Sequence, residues 1–428
     1  MRFFGALTFR LILCAVLVVI QGYLYLKLRS AVRRSHVEES FKRRLRTAVL
    51  PVLLYLNLPW MYIVVAGIPT WTIPTPLVYG LIYPCWVWML PSVFLLFPIF
   101  LIKDLSTLLV RGLMWCVRRG RRIHPVELVV PAGPPVTRRQ FLRYAAVGAV
   151  AAPIGLSTYG AAFGMRRYEV VPVDLPCPGL PAGLSGFRIL QVSDIHSNLY
   201  MDKPMMDEIV AKMNDVPADL IVLTGDYVSS SAGFIYPFVE AFSALKAPPY
   251  GIYATLGNHD FWTNADVITA AIRAIGIPVL RNETAVIPVK DVPLNLVGID
   301  YGGTRRRSPG PPGPFSWSPL PGLIDRALQS AQADGFSILL SHNPSGFDHA
   351  IPRNIPLTLA GHTHGGQVIL ELPGGIRISP AALAFKYIAG LYQQDGHSLY
   401  VNRGCGVTGP PIRLNCPPEL TLITLKKQ

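Results

Sequence analysis

The chain has 428 residues, of which 51% are hydrophobic and only 15% charged, and its net charge is +14. That length holds two to three domains, and the composition is too apolar for one ordinary soluble protein, so part of the chain is expected to meet lipid. The charge is also uneven: residues 1–167 carry 21 Lys and Arg against 4 Asp and Glu, whereas residues 168–428 carry 18 against 21, a distribution that argues against a nucleic-acid partner because the folded part is slightly acidic.

The N-terminal region, residues 1–136, reads as a membrane region. A first apolar run covers about 8–26, and from Thr47 to Ile102 there is no charged side chain at all. About 20 apolar residues cross a bilayer, so this second stretch is long enough for two crossings, at about 48–68 and 77–102. The intervening "PTWTIPTP" breaks the helix where it leaves the bilayer. Pro84, Pro91 and Pro98 recur every seven residues in the third span, which places them near one face and predicts bends there. Lys27, Arg29, Arg33, Arg34, Lys42, Arg43, Arg44 and Arg46 put the first loop on the cytoplasmic side, and the basic residues from Arg111 to Arg143 do the same after span three.

Residues 137–167 open with "TRRQFLRYAAVGAVAAP", twin arginines ahead of a small-residue apolar run, which is how a twin-arginine export signal reads. Three crossings from an outside N-terminus leave the chain in the cytoplasm just before Arg138 and Arg139. The run from Tyr144 to Gly164 is therefore expected to carry residues 168–428 outward, as an uncleaved anchor or, with "YGAAFG" as the alternative cleavage site, a removed signal, and with the twin-arginine export machinery as partner. Plain positive-inside topology places the same domain on the same side.

From Phe187 the pattern changes. "FRILQVSD", "DLIVLTGD", "GIYATLGN", "LNLVGID", "FSILLSHN" and "LTLAGHTH" read as buried strands. Between them "KPMMDEIVAKMND", "NADVITAAIRAIG" and "GLIDRALQSAQADG" read as helices, the last two closed by Gly276 and Gly335. Such alternation argues for α/β layers, in which ligands gather at the carboxyl ends of strands. Every one of these strand ends but "VGID" carries a metal-type ligand: Asp194 and His196, Asp226, Asn258 with His259, His342, and His362 with His364. This Asp, Asn and His set suits Mn, Fe or Zn rather than a thiolate cluster. His349 and His397 fall outside the pattern and read as structural.

The order DxH, GD, GNHD, H, GHxH resembles the calcineurin-like metallophosphoesterase family over roughly residues 187–425. The resemblance implies a four-layer α/β/β/α metallophosphoesterase sandwich, here preceded by an α-helical transmembrane region, with two divalent metal ions at the sheet edges. Carried over by motif, Asp194, His196 and His364 would hold the first metal, Asn258, His342 and His362 the second, with Asp226 between them and His259 as the non-ligand acid. Two cations about 3.5 to 4 Å apart acidify water and clamp the attacking and leaving oxygens of an in-line displacement. His259 beside Asn258 suits protonation of the leaving oxygen, since histidine changes charge near neutral pH. "GDYV" lacks the acidic residue three positions after the Asp that marks the phosphoprotein phosphatase branch. "NRGCGVTGPPIRLNCPPELTLITL" and the single-pass motif order look closest to small bacterial enzymes with membrane anchors or twin-arginine signals.

Within the insertion 301–322, rich in Pro and Gly, Arg305, Arg306 and Arg307 are candidate contacts for an anionic head group. Cys405 and Cys416 are a candidate disulfide in an oxidising compartment, with free thiols as the alternative because Cys177 leaves an odd count. The leading expectation is a membrane-anchored dinuclear phosphoesterase of the bacterial cytoplasmic membrane. It would act outside on a phosphodiester, pyrophosphate or phosphomonoester, lipid-borne substrates included. The alternative is a non-enzymatic membrane protein whose phosphoesterase-like domain is a binding module, against which the complete ligand set weighs.

Overall fold

The computed structural model describes residues 2–34, 38–66, 77–120, 155, 158–160, 163–301, 320–372, 376–409 and 411–427. The chain divides into two units, Met1–Tyr159 and Gly160–Gln428. "PTWTIPTP", Arg138, Arg139 and Arg305 to Arg307 lie outside the described residues.

In the first unit, helices α1 (Arg2–Arg34), α2 (Glu39–Tyr55) and α3 (Leu58–Ala66) cover the first two expected spans. Among the described residues two stretches are long and apolar enough to cross a membrane, Arg10–Arg34 and Glu39–Ala66. The third expected span is helical but divided: a π-helical turn at Val78–Ile82, α4 (Tyr83–Pro91), a second π turn at Ser92–Leu96, and α5 (Phe97–Gly120). Proline is the reason, since it has no N–H and its ring collides with the preceding turn. Tyr83 and Phe97, the residues just before Pro84 and Pro98, donate instead to Val78 O and Ser92 O, five residues back. Ile20, Leu24, Leu53, Trp88 and Leu96 form the apolar contact within this unit.

The second unit is a sandwich of two mixed sheets. The first contains β1 (Glu169–Cys177), β2 (Arg188–Val192), β3 (Leu220–Leu223), β4 (Ile252–Ala254) and β13 (Glu419–Lys427), in the order β1-β13-β2-β3-β4. The second contains β5 (Glu283–Val289), β6 (Val292–Gly298), β7 (Phe336–Leu340), β8 (Leu357–Ala360), β11 (Gly390–Gln394) and β12 (His397–Val401), in the order β11-β12-β8-β7-β6-β5. β9 (Leu370–Leu372) and β10 (Ile376–Ile378) form a separate antiparallel pair. Strands β2, β3 and β4 are mutually parallel, as are β6, β7, β8 and β12.

The strands read as unbroken apolar runs because both of their faces are covered. Successive residues alternate between layers. Ile189, Leu220, Val222, Leu296, Ile338, Leu340 and Leu359 meet between the sheets. Leu190, Val192, Ile221 and Leu223 face outward, onto α6 (Lys203–Asp215), α7 (Ile235–Phe242) and α8 (Asn258–Ala274). On the other side Val297 and Leu339 pack on Leu320 and Ile324 of α9 (Leu320–Leu328), and α10 (Gly346–Ala350) follows β7. The order is helices, sheet, sheet, helices, as the family resemblance implies.

All six strands expected from the sequence form. Two helix boundaries differ from expectation. α8 begins at Asn258 rather than Asn264, because two helices join at Asn264, whose extended backbone (φ −172°, ψ 94°) and side chain, accepting from Val267 N, restart the helix. α9 stops at Leu328 in a series of turns, so Gly335 does not cap it, whereas Gly276 (φ 81°) does close α8. A strand with no counterpart among the expected six, β13, enters between β1 and β2 and pairs antiparallel with β2; it brings the C-terminal segment beside the first strand end.

Candidate metal centre

The strands stop where their backbone turns left-handed, and the turns carry the polar residues. Asp194, His196, Asp226, His362 and His364 all have φ between 50° and 75°. Such a backbone costs about 1–3 kcal/mol per non-glycine residue and persists only where the surroundings hold it. Two glycines make room: a Cβ on Gly257 would collide with Asp226 Oδ1, and one on Gly361 with Ser193 Oγ and Asp194 Oδ2. His362 N and His259 N then donate to the Asp194 and Asp226 carboxylates, at 3.0 Å and 2.8 Å.

This brings eight sequence-predicted residues together. Asp194, His196 and His364 offer ligand atoms within 4.8 Å of one another, as do Asp226, His342 and His362, and as do His196, Asp226 and His259. Asp226 Oδ2 lies 3.4 Å from His196 Nε2 and 3.2 Å from His342 Nε2, between the first two groups. Asn258 Oδ1 joins the His342 side, 3.2 Å from its Nε2. The His259 ring stands edge-on to His196, its Nδ1 bonded to Ser229 O. The first sheet supplies both carboxylates and the second sheet supplies three imidazoles.

The arrangement fits metal ions. His196 Nε2 and His364 Nε2 face each other at 3.0 Å, with Asp194 Oδ1 3.3 Å from the latter. Two ring nitrogens meet at that distance either around a shared cation or through the N–H of one neutral ring donating to the other. Burial pushes the pKa of both rings well below the ordinary histidine range, which keeps them neutral, the form in which histidine ligates metal. At His342, burial alone would lower the pKa, but the Asp226 and Asp194 carboxylates raise it to about 9. Its Nδ1–H donates to Thr224 O at 2.7 Å, which aims Nε2 at the site, as metal-ligating histidines require. Burial, with His342 adding to it, lowers His362 to about 4. Burial opposes ionisation of Asp226, yet the His342 charge holds it well below the usual carboxylate range.

Three residues were not singled out from the sequence. Asp260, the last residue of "GNHD", accepts Asp226 N and Gly257 N at 2.8 Å and Tyr227 N at 2.9 Å, tying two strand-end turns together. Tyr301 follows the one strand end without a ligand, and its ring lies 6.0 Å and 5.8 Å from those of His342 and His362. Arg413 is fully buried beside His364. Cys405 and Cys416 are free thiols rather than a disulfide: their Sγ atoms donate to Glu419 O and His364 O. A pocket of 290 Å³ opens over Asp226, Asn258, His259 and His362, with Trp262 and Phe385 in its walls.

The calcineurin-like phosphoesterase family matches residues 187–366. The metallophosphoesterase YkuE of Bacillus subtilis (strain 168) is 31% identical over 312 residues, which cover 68% of this chain and 98% of that protein. The chain belongs to the calcineurin-like phosphoesterase family. It is a metal-dependent phosphoesterase, a hydrolase, and the buried Asp and His groups are its candidate metal ligands. It is also similar to a transmembrane protein with metallophosphoesterase domain from Danio rerio, 31% identical over 282 residues, 64% of this chain and 60% of that one. A metallophosphoesterase of Helicobacter pylori (strain J99 / ATCC 700824) is 26% identical over 294 residues, 68% of this chain and 73% of that one.

Proposed function

We propose that this phosphoesterase is a membrane-anchored dinuclear enzyme, acting on the extracytoplasmic side of a bacterial cytoplasmic membrane on phosphodiester, pyrophosphate or phosphomonoester bonds, lipid-linked ones included. The observation that carries the dinuclear reading is Asp226 Oδ2, within 3.4 Å of one imidazole from each of two donor groups. Asp194, His196 and His364 would hold one divalent ion and Asn258, His342 and His362 the other, with Asp226 shared; Mn, Fe and Zn all suit these donors. When bound, such a pair supplies Lewis-acid stabilisation of the phosphoryl oxygens and activates water.

The chain's own residues do the rest. Asp260 and Gly257 fix the Asp226 turn, and Thr224 O fixes the His342 ring. His259 gives its Nδ1–H to Ser229 O, which leaves Nε2 to hold the proton for the leaving oxygen. Trp262, 60% exposed, and Phe385, 37% exposed, give the pocket apolar walls, which supports a substrate with an apolar part. The two apolar helical stretches support membrane anchoring. The basic loops and the twin arginines at 138 and 139 support an N-terminal membrane region of 1–136 with three spans, an export segment of 137–167, and a phosphoesterase domain of 168–428 facing outward. Arg305 to Arg307 are the proposed contact for an anionic head group.

The test is Asp226→Asn in the full chain. Turnover should fall roughly a thousandfold or more, because several kcal/mol of cation-derived stabilisation is lost. Bound metal should fall below two equivalents while the circular dichroism spectrum is unchanged. A variant with near wild-type rate and full metal content would overturn the assignment.

A further inference from the structure

The two proposed cation sites are held unequally by the rest of the chain. Arg413, 1% exposed, donates from Nε to Gly406 O at 3.0 Å and from Nη1 to Cys416 O at 3.1 Å. Its Nη2 donates to Arg403 O at 2.9 Å, Gly404 O at 3.0 Å and Gly406 O at 2.6 Å. One guanidinium thus gathers carbonyls from both ends of the segment 403–416 and folds it into a closed loop. A planar fork of five N–H groups can do this; an ammonium with three cannot reproduce its directions.

The closed loop bears on one group of ligands. Cys405 N donates to Ser193 O at 3.0 Å and Gly406 N to Asp194 O at 2.6 Å. Gly404 (φ 71°) lies so close to Asp194 that a Cβ there would be 2.7 Å from the Asp194 Cβ. Cys416 Sγ donates to His364 O at 3.2 Å, and Arg413 Nη2 itself is 3.4 Å from His364 Nδ1. Asp194 and His364 are two of the left-handed residues whose backbone needs such support. Among the described hydrogen bonds none runs from this loop to Asn258, His342 or His362.

We infer that Arg413 is a positioning residue for the cation site formed by Asp194, His196 and His364, acting through the 403–416 loop, and that it leaves the site of Asn258, His342 and His362 untouched. This rests on the two-cation reading above. The positive charge itself opposes a neighbouring cation, so the contribution is one of geometry. Replacement by lysine keeps the charge and removes the fork.

The experiment is a Mn(II) titration of the full chain in detergent, followed by electron paramagnetic resonance and by competition with a chelator, on wild type, Arg413→Lys and Cys416→Ala. Wild type should bind two equivalents and show the spectrum of a coupled pair. Arg413→Lys should keep one site at the wild-type Kd and weaken the other about 10–100-fold, the usual effect of losing an outer hydrogen-bond partner, with the uncoupled six-line spectrum in its place. Cys416→Ala, which removes the thiol donor to His364 O but leaves the carbonyl cage whole, should weaken the same site by less. If Arg413→Lys fails to fold by circular dichroism, Cys416→Ala decides the matter. Wild-type affinity at both sites in the folded variants, or equal loss at both, overturns the inference. A wild-type chain that binds a single equivalent overturns the two-cation reading and this inference with it.

Discussion

The helical unit and the phosphoesterase unit both bury polar side chains, and they satisfy them in opposite ways. In the helical unit Gln21 Nε2 donates to Ser92 Oγ at 2.9 Å, Trp88 Nε1 donates to Gln21 Oε1 at 2.9 Å, and Ser92 Oγ donates to Met89 O at 3.1 Å. These are neutral donors paired with neutral acceptors and no charge is involved, so the network holds together without a ligand. At the strand ends, by contrast, nitrogen faces nitrogen across His196 and His364, and two buried carboxylates sit among imidazoles. Neutral imidazoles converging with buried carboxylates in that way are a donor set that suits a cation. Buried polarity therefore marks a metal site where neutral bases and carboxylates converge, and not where neutral donors and acceptors simply pair.

Substitutions in the two regions should part company accordingly. His259→Ala should reduce kcat by about 10²–10⁴-fold, the usual range for a general acid, with the metal content retained. If metal is lost with it, as its closeness to His196 and Asp226 allows, His259 moves into the ligand set. Asp260→Asn should cost about 1–3 kcal/mol of stability, because its amide nitrogen would face one or more of the three backbone N–H groups the carboxylate now accepts. A thermal melt of the variant checks this, and an unshifted Tm would mean that the turns hold without it. Gln21→Leu, which removes two hydrogen bonds, should cost only about 1 kcal/mol, at most about 3, in the proposed membrane helix packing, and should leave phosphoester turnover unchanged. A large loss of turnover in that variant would break the distinction between a completed network and a site that needs a ligand.

The candidate ligand residues were legible because each sits in a turn that ends a buried strand, and both the apolar run and the polar turn show in the sequence. Asp194, His196, Asp226, Asn258, His342, His362 and His364 needed no knowledge of which strands are neighbours. Asp260 stood in the same motif, but its task appears only when the ends of β3 and β4 lie side by side. Arg413 was hidden for a similar reason, since the loop it closes reaches Asp194 only because β13 enters the first sheet next to β2. In the fold, apolar periodicity gave the central strands, whereas Pro84 and Pro98 changed the third expected span in a way that periodicity does not record. Gly335 looked like a helix cap, but α9 had already ended in turns seven residues before it.

The central claim is that the strand-end cluster is a metal site that performs phosphoester hydrolysis. The most direct measurement is hydrolysis of aryl phosphodiester, aryl phosphomonoester and lipid pyrophosphate by the full chain in detergent, before chelation, after it, and after return of Mn, Fe or Zn, with bound metal counted at each stage. The account predicts that at least one substrate is turned over, that chelation abolishes this along with the loss of two equivalents of metal, and that return of the metal restores it. Turnover that survives complete removal of metal, or a folded chain holding two equivalents that hydrolyses none of the three, would contradict it.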